Sequence, residues 1–249
     1  SRSSKMVHGG LRYLGSGHYG LTRDAVRERE RLVAEAPGLI DPLRFIMPHF
    51  KGQFPGPRLF QTLLRVYDFI ARNRSRHFLT PAESMLWVPG LTGENLAGAS
   101  GFTDAVTDDS RLVLRLIAEA RQDGALCLNY TRALEVKRIG GQVSGLLIQP
   151  EESDAPIEIS APLVINATGA WANRLGGAGQ RIRPLRGSHL FVDPARLPVA
   201  DCLTLINPRD DRPVFVFPWE GVTCIGTPDL DHGDSLDQEA RASGAEVIC

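Results

Sequence analysis

The amino-acid sequence predicts a mixed α/β and α+β fold, with amphipathic helices in its first half and short, turn-separated strands in its second. Three observations carry that prediction. Apolar residues recur with helical period over 21–36, 58–72 and 108–124. Two apolar runs flank Gly140-Gly141, the pattern of a two-residue hairpin. The run Pro162-Leu163-Val164-Ile165-Asn166 leads into a small-residue turn, Ala167-Thr168-Gly169-Ala170-Trp171, and open α/β sheets present ligand sites at turns of this kind.

The elements follow in chain order. Residues 1–19 mix Ser, Gly and His in a loop, where glycine lets the backbone approach a neighbour closely. Leu21, Ala25, Val26, Leu32, Val33 and Ala36 mark the first helix, ended by Pro37-Gly38. The Pro-punctuated stretch 42–57 reads as irregular, and Leu59, Phe60, Leu63, Leu64, Tyr67 and Ile70 mark the second helix. Residues 73–107 read as mostly loop. Asp108-Asp109-Ser110 supplies capping and first-turn acids for a third helix, whose buried face would be Leu112, Val113, Leu116, Ile117 and Ala120, with Gly124 as its stop. Strands are expected at 126–130, 132–138, 143–149, 157–159 and 162–166, and an antiparallel sheet from the runs 189–192, 203–206, 213–217 and 222–225.

Composition narrows the function. The chain has 249 residues, 43% apolar and 23% charged, enough to bury a core in one large domain or two small ones. Its 25 Gly and 17 Pro are scattered, which excludes collagen-like and low-complexity classes. A net charge of -1 excludes a protein whose main task is coating nucleic acid, so an anionic ligand must be met by local cations. Cys127, Cys202, Cys224 and Cys249 lack metal-ligand spacing and read as reduced core residues of a cytosolic protein. No apolar run reaches 18 residues. The sequence does not begin with Met and ends on Glu246-Val247-Ile248-Cys249, which reads as helix interior, so it is expected to be a piece of a longer chain.

Four groups of residues invite a chemical reading, each beside a plainer one. Lys5, His8, Arg12 and Tyr13 around Gly9-Gly10 suit an anion or a polar ring edge, or belong to a surface loop feeding the first helix. The turn 166–171 is a ligand site or a strand exit with Thr168 as cap. His189, after Arg186-Gly187-Ser188, is a catalytic imidazole or a hydrogen-bonded strand-edge residue. For Arg209-Asp210-Asp211-Arg212 the solvated hairpin tip is the better reading, and for Asp108 and Asp109 helix capping is. There is no G-x-S-x-G elbow, H-E-x-x-H, P-loop or paired-Cys zinc pattern.

Taken together, several segments resemble the FAD-dependent, quinone-linked glycerol-3-phosphate dehydrogenases. They are Ser3-Ser4-Lys5 with His8-Gly9-Gly10-Leu11-Arg12-Tyr13-Leu14, the Arg27-Glu28-Arg29-Glu30 helix, Asp108 to Val113, Asn166 to Trp171, Arg186 to His189, and Pro218-Trp219 through Gly226-Thr227-Pro228-Asp229. The resemblance implies a glutathione-reductase-like FAD-binding domain (1–40 and 105–180, partial) and a D-amino-acid-oxidase-like antiparallel-sheet substrate or cap region (41–104 and 181–249, partial). It implies that Ser3, Ser4, Lys5, His8, Gly9 and Gly10 lie against the flavin and pyrophosphate. Thr131, Arg132, Ala133, Thr168 and Gly169 would lie near the adenosine half, with Trp171 also in the cofactor set. His189, Arg12 and Tyr13 become the catalytic set, with His189 polarising or deprotonating the substrate hydroxyl and Arg12 stabilising developing negative charge.

The implied reaction is oxidation of sn-glycerol 3-phosphate to dihydroxyacetone phosphate, with hydride passing to FAD and electrons to quinone. The family also implies a peripheral position on the cytoplasmic face of the inner membrane, and it allows a homodimer. Two alternatives stand beside it: an oxygen-using glycerophosphate oxidase or other FAD oxidoreductase of the same fold, and a catalytically inactive scaffold serving as a binding module. Departures from the family pattern are the missing strand, G-x-G-x-x-G turn and helix, the missing S-G-x-R-P-L and G-G-K segments, and Arg186 where Lys is common. The expectation is therefore a chain inactive by itself.

Overall fold

The computed structural model describes residues 3–72, 74–175, 182–207, 212–227, 230–233 and 236. The chain divides into two compact units, one of Ser1–Leu116, Gly187–Pro228 and Ala242–Cys249, the other of Ile117–Arg186 and Asp229–Arg241. The expected turn residues Arg209 to Asp211, the motif residues Pro228-Asp229 and the segment 246–249 lie outside the described residues.

The first unit starts with β1 (Met6–Val7), α1 (Leu11–Gly15), α2 (Tyr19–Glu35), β2 (Ile40–Phe50) and α3 (Pro57–Ala71). It continues through β3 (His77–Leu79), α4 (Pro81–Trp87), β4 (Leu96–Thr107) and the start of α5 (Asp109–Gln122). An eight-stranded sheet organises it, in the order β1-β4-β2-β10-β11-β12-β9 with β3 also on β4. Here β9 is Leu190–Val192, β10 Cys202–Ile206, β11 Pro213–Trp219 and β12 Val222–Gly226. The expected antiparallel run of the last third is present as β10, β11, β12 and β9, and β10 joins it to β2 in parallel.

β2, β3, β4 and α4 occupy stretches expected to be irregular, as β1 and α1 do within the expected loop 1–19, and the two long strands among them each have a physical reason. β2 contains Pro42 and Pro48, which cannot donate to a ladder, but β10 reaches only Phe45 and Ile46, so both prolines sit where that side of β2 is an open edge. β4 is built of small residues because its neighbours come close. A Cβ at Gly98 would lie 2.5 Å from the Leu79 carbonyl, and one at Gly101 would lie 2.1 Å from the His77 ring. The core packs Leu43, Phe45 and Met47 of β2 against Phe60 and Leu64 of α3, with Phe102, Cys202, Phe217 and Cys224. Ile46, on the other face of β2, packs with Leu79, Val88 and Ala99, as strand alternation requires.

α5 corrects a further expectation. Its apolar stripe exists, but Val113, Leu116 and Ile117 are exposed and no residue of the helix is buried. Leu112 alone packs partly against the cluster of Ala36, Ile40 and Ala105. Periodicity reports that a helix has an apolar side, and not whether another layer covers it.

The second unit holds the expected hairpin, β5 (Thr131–Ile139) and β6 (Gln142–Pro150), extended by β7 (Ile157–Ser160) into a three-stranded antiparallel sheet. A single 3-10 turn (Gly169–Trp171), α6 (Ala172–Leu175) and the pair β8 (Leu185–Arg186) with β13 (Leu230–Asp231) complete it. Residues 126–130 and 162–166 are not strands: Leu126, Leu128, Leu163 and Ile165 are exposed, and β-prone residues form no ladder without a neighbour to pair with. Cys127 is likewise exposed rather than in the core, whereas Cys202 and Cys224 are buried free thiols.

Candidate active site

The loop joining β1 to α1 is held from beneath by one residue from each of three elements. Gly9 donates its N–H to Oδ1 of Asp104 on β4 at 2.9 Å. The Tyr67 hydroxyl of α3 donates to the same oxygen at 2.9 Å and accepts from Arg29 Nη1 of α2 at 2.8 Å. Arg29 also pairs directly with Asp104. All three side chains are buried, at 4%, 1% and 4% exposure for Arg29, Tyr67 and Asp104. Burial, then the Asp104 charge, pushes the Tyr67 phenol up. Burial opposes the charge on Arg29, but Tyr67 and Asp104 outweigh it and the guanidinium stays ionised. Thr22 adds a hydrogen bond from its hydroxyl to the Gly10 carbonyl at 3.3 Å. Glycine is required here: a Cβ on Gly9 would lie 1.9 Å from the Tyr67 hydroxyl, and Gly10 has φ +73°.

The residues just before β1 form a second cluster. Lys5 adopts φ 62° and is buried. Its Nζ lies 3.1 Å from Oδ1 of Asp109 and 4.9 Å from the Trp219 ring centroid. Ser3 donates to the other carboxylate oxygen of Asp109 at 2.6 Å. Trp219 is fixed by its indole N–H, which donates to the Thr107 carbonyl at 3.0 Å. Its ring sits 5.8 Å from Phe191, which in turn stacks with His189 at 6.4 Å. His189 also rests against Gly226, where a Cβ would come 2.7 Å from its Cδ2. Burial and then the Lys5 charge lower the pKa of His189, Asp109 working the other way, so the neutral imidazole is favoured. Burial pushes the Cys224 thiol up to about 11, with Lys5 opposing.

The structure therefore brings Ser3, Lys5 and His189 together in the first unit. Ser4 before β1, His8 in the loop, and Arg12 and Tyr13 on α1 are exposed, with the His8 and Tyr13 rings 6.5 Å apart. His8 Nδ1 accepts the Gly10 N–H at 3.2 Å. Thr131, Arg132 and Ala133 open β5 in the second unit, where α6 packs on that strand. The turn containing Thr168, Gly169 and Trp171 is closed by Asn166, whose Oδ1 accepts from the Thr168 hydroxyl at 2.7 Å and whose amide donates to the Ala172 carbonyl.

The residues of these clusters to which sequence assigned no role in a site are Asp104, Tyr67, Trp219 and Phe191. Asp108 caps α5 as expected, accepting the Arg111 N–H at 3.1 Å, and Asp109 is its first-turn acid; the Asp109 carboxylate also takes Ser3 and Lys5 as partners, which sequence did not show. A signal for Arg29 existed, because Thr22, Val26 and Arg29 share the buried face of α2 at i, i+4 and i+7. Among the described residues no group of three or more His, Cys, Asp or Glu could hold a metal.

A mixed sheet that carries a glycine loop anchored by a buried ion pair, and a histidine stacked on Phe191 whose pKa is lowered by burial and Lys5, suits an oxidoreductase with an organic cofactor. The chain belongs to the FAD dependent oxidoreductase family, whose model matches residues 1–249, and the mixed fold expected from the sequence is that family's fold. Its relatives include the aerobic glycerol-3-phosphate dehydrogenase of Bacillus subtilis, 31% identical over 245 residues that make up 95% of this chain and 44% of the relative. The alpha-glycerophosphate oxidase of Lactococcus lactis subsp. lactis is also 31% identical, over 266 residues, covering 100% of this chain and 43% of its own. The crystal structure of the glycerol-3-phosphate dehydrogenase of Bacillus halodurans complexed with FAD superposes with a TM-score of 0.72 at 26% identity, covering 97% of this chain and 42% of that one. The chain thus spans less than half the length of these relatives.

Proposed function

We propose that the protein oxidises sn-glycerol 3-phosphate to dihydroxyacetone phosphate, with His189 as the group that takes the C2 hydroxyl proton. The observation that supports this most directly is the placement of His189 within electrostatic reach of Lys5, just before the strand that leads into the anchored glycine loop, in surroundings that favour the neutral imidazole. Bound FAD would supply the two-electron acceptor for the hydride leaving C2. The donor set suits such a group. The inner side of the loop is filled by Asp104 and Tyr67, while Ser4 and His8 are exposed polar residues available to a flat ring system and a pyrophosphate. In this reading Ser3, Ser4, Lys5, His8, Gly9 and Gly10 hold the flavin side, and Thr131, Arg132, Ala133, Thr168, Gly169 and Trp171 the adenosine side. Arg12 and Tyr13 orient the substrate, Arg12 by placing positive charge near the developing oxyanion. Residues 1–40 with 105–180 then serve the cofactor, and 41–104 with 181–249 cover the substrate.

Quinone is the acceptor in the first form of the proposal, at the cytoplasmic face of a membrane; no helix among the described residues is long and apolar enough to cross one. Oxygen is the acceptor in the second, which the equal identity to the Lactococcus oxidase supports. The test is anaerobic bleaching of the FAD-loaded protein by glycerol 3-phosphate, followed by reoxidation with a quinone or with oxygen while peroxide is measured. Bleaching by a 2-hydroxy acid or a secondary amine, and none by glycerol 3-phosphate, would overturn the substrate assignment.

A further inference from the structure

Away from this site, α2 and the end of α3 enclose a cleft of about 1260 Å³ lined by six arginines, Arg23, Arg27, Arg65, Arg72, Arg74 and Arg76, against two acids, Glu30 and Asp68. Both acids are already committed. Glu30 pairs with Arg29, and Asp68 accepts from Ser75 and from the backbone of Arg76 while pairing with the Arg76 guanidinium at 3.4 Å. Arg23 pairs with Asp24 at 3.5 Å. Among the described residues, no carboxylate lies within ion-pair distance of Arg27, Arg65 or Arg72. Like charges at i, i+4, as in Arg23 and Arg27, destabilise a helix unless something between them carries the opposite sign. Arg72 caps α3 with φ 51°, a conformation that favours glycine, although its side chain has no carboxylate to reach. A chain of net charge -1 thus concentrates positive charge around one concave surface. Guanidinium forks match phosphate oxygens in geometry and charge, and Val26, Ile70 and Ala71 give the cleft apolar walls.

We infer that this cleft binds a phosphate-bearing anion through Arg27, Arg65 and Arg72. The test uses the purified chain, with inorganic pyrophosphate as a soluble probe and phosphatidylcholine vesicles with or without phosphatidylglycerol as the lipid one. The variant Arg65→Gln/Arg72→Gly removes two guanidiniums without threatening the fold, since Arg65 is exposed on a helix and glycine suits the backbone at 72. The expected result is saturable, salt-sensitive pyrophosphate binding that raises the melting temperature, weakened about tenfold or more in the variant and unchanged in Arg121→Gln. Arginine-dependent capture by phosphatidylglycerol vesicles without pyrophosphate binding would also support the site and assign its phosphate to a lipid headgroup. Absence of both, or equal weakening by Arg121→Gln, overturns the inference.

Discussion

The amide of Gly9 donates to the carboxylate of Asp104 across 95 residues of sequence, and that carboxylate is the one that holds Arg29 and Tyr67. The glycine loop is therefore tied to a buried charge network as well as to its own turn, in which Gly10 has positive φ and donates to His8. Whatever the loop binds, its affinity depends on side chains that do not touch the ligand.

Gly9→Ala tests this most locally. The added methyl would overlap the Tyr67 hydroxyl and come 2.7 Å from Val26 Cγ2, so an overpacking cost of about 1–3 kcal/mol is expected in urea unfolding. Tyr67→Phe in the same chain removes the closest atom, so the double variant should lose less stability than the two single losses added together. Strict additivity would show that the loop shifts freely and that the network does not position it.

Arg29→Ala leaves Asp104 buried without its cation and should cost about 3–5 kcal/mol. Arg29→Met combined with Asp104→Asn removes both charges while the carbonyl oxygen of the introduced amide still accepts from Gly9, so the pair should be more stable than Arg29→Ala alone. If the double variant is the less stable of the two, the ion pair contributes net stability and the loop's position is not the main quantity at stake.

These residues also show where sequence reasoning stops. The helices α2 and α3 and the hairpin at Gly140-Gly141 were legible because their signals are local periodicities and turn residues. β2 and β4 were not, because prolines and glycines read as breakers until the open edge and the close neighbours that permit them are known. In the site, Lys5 and His189 stood out as polar residues beside glycine. Asp104 did not, and Trp219 stood out only as part of a motif with no role in the site, since each acquires its place from partners about a hundred residues away.

His49 on β2 gives the fold a pH dependence. Its Nδ1–H donates to the Pro55 carbonyl at 3.0 Å, and in the neutral ring Nε2 accepts the Ser100 hydroxyl at 2.8 Å. Burial lowers its pKa below the ordinary 6.5, the Pro55 bond opposing. The unfolded chain then binds the proton more readily. Stability from this group is full above about pH 6.5 and is lost as pH falls through and below that value. Melting temperatures measured from about pH 7.5 to pH 5 should decline, and less steeply in His49→Asn. An unchanged slope in that variant would assign the decline to other groups.

Lys5 and Asp109 act on His189 in opposite directions, which makes the proposed base testable without reference to the cofactor. Lys5→Met keeps an apolar stem over Trp219 but removes the positive charge, so the His189 pKa should rise. Asp109→Asn removes the opposing charge and leaves the lysine, so the pKa should fall further. Nuclear magnetic resonance titration of the His189 ring reads both shifts directly. If His189 takes the hydroxyl proton, the acid limb of kcat/KM for glycerol 3-phosphate should move with them, to higher pH in Lys5→Met and to lower pH in Asp109→Asn. Ring shifts in the expected directions with an unmoved acid limb would leave the electrostatic coupling intact and exclude His189 as the base.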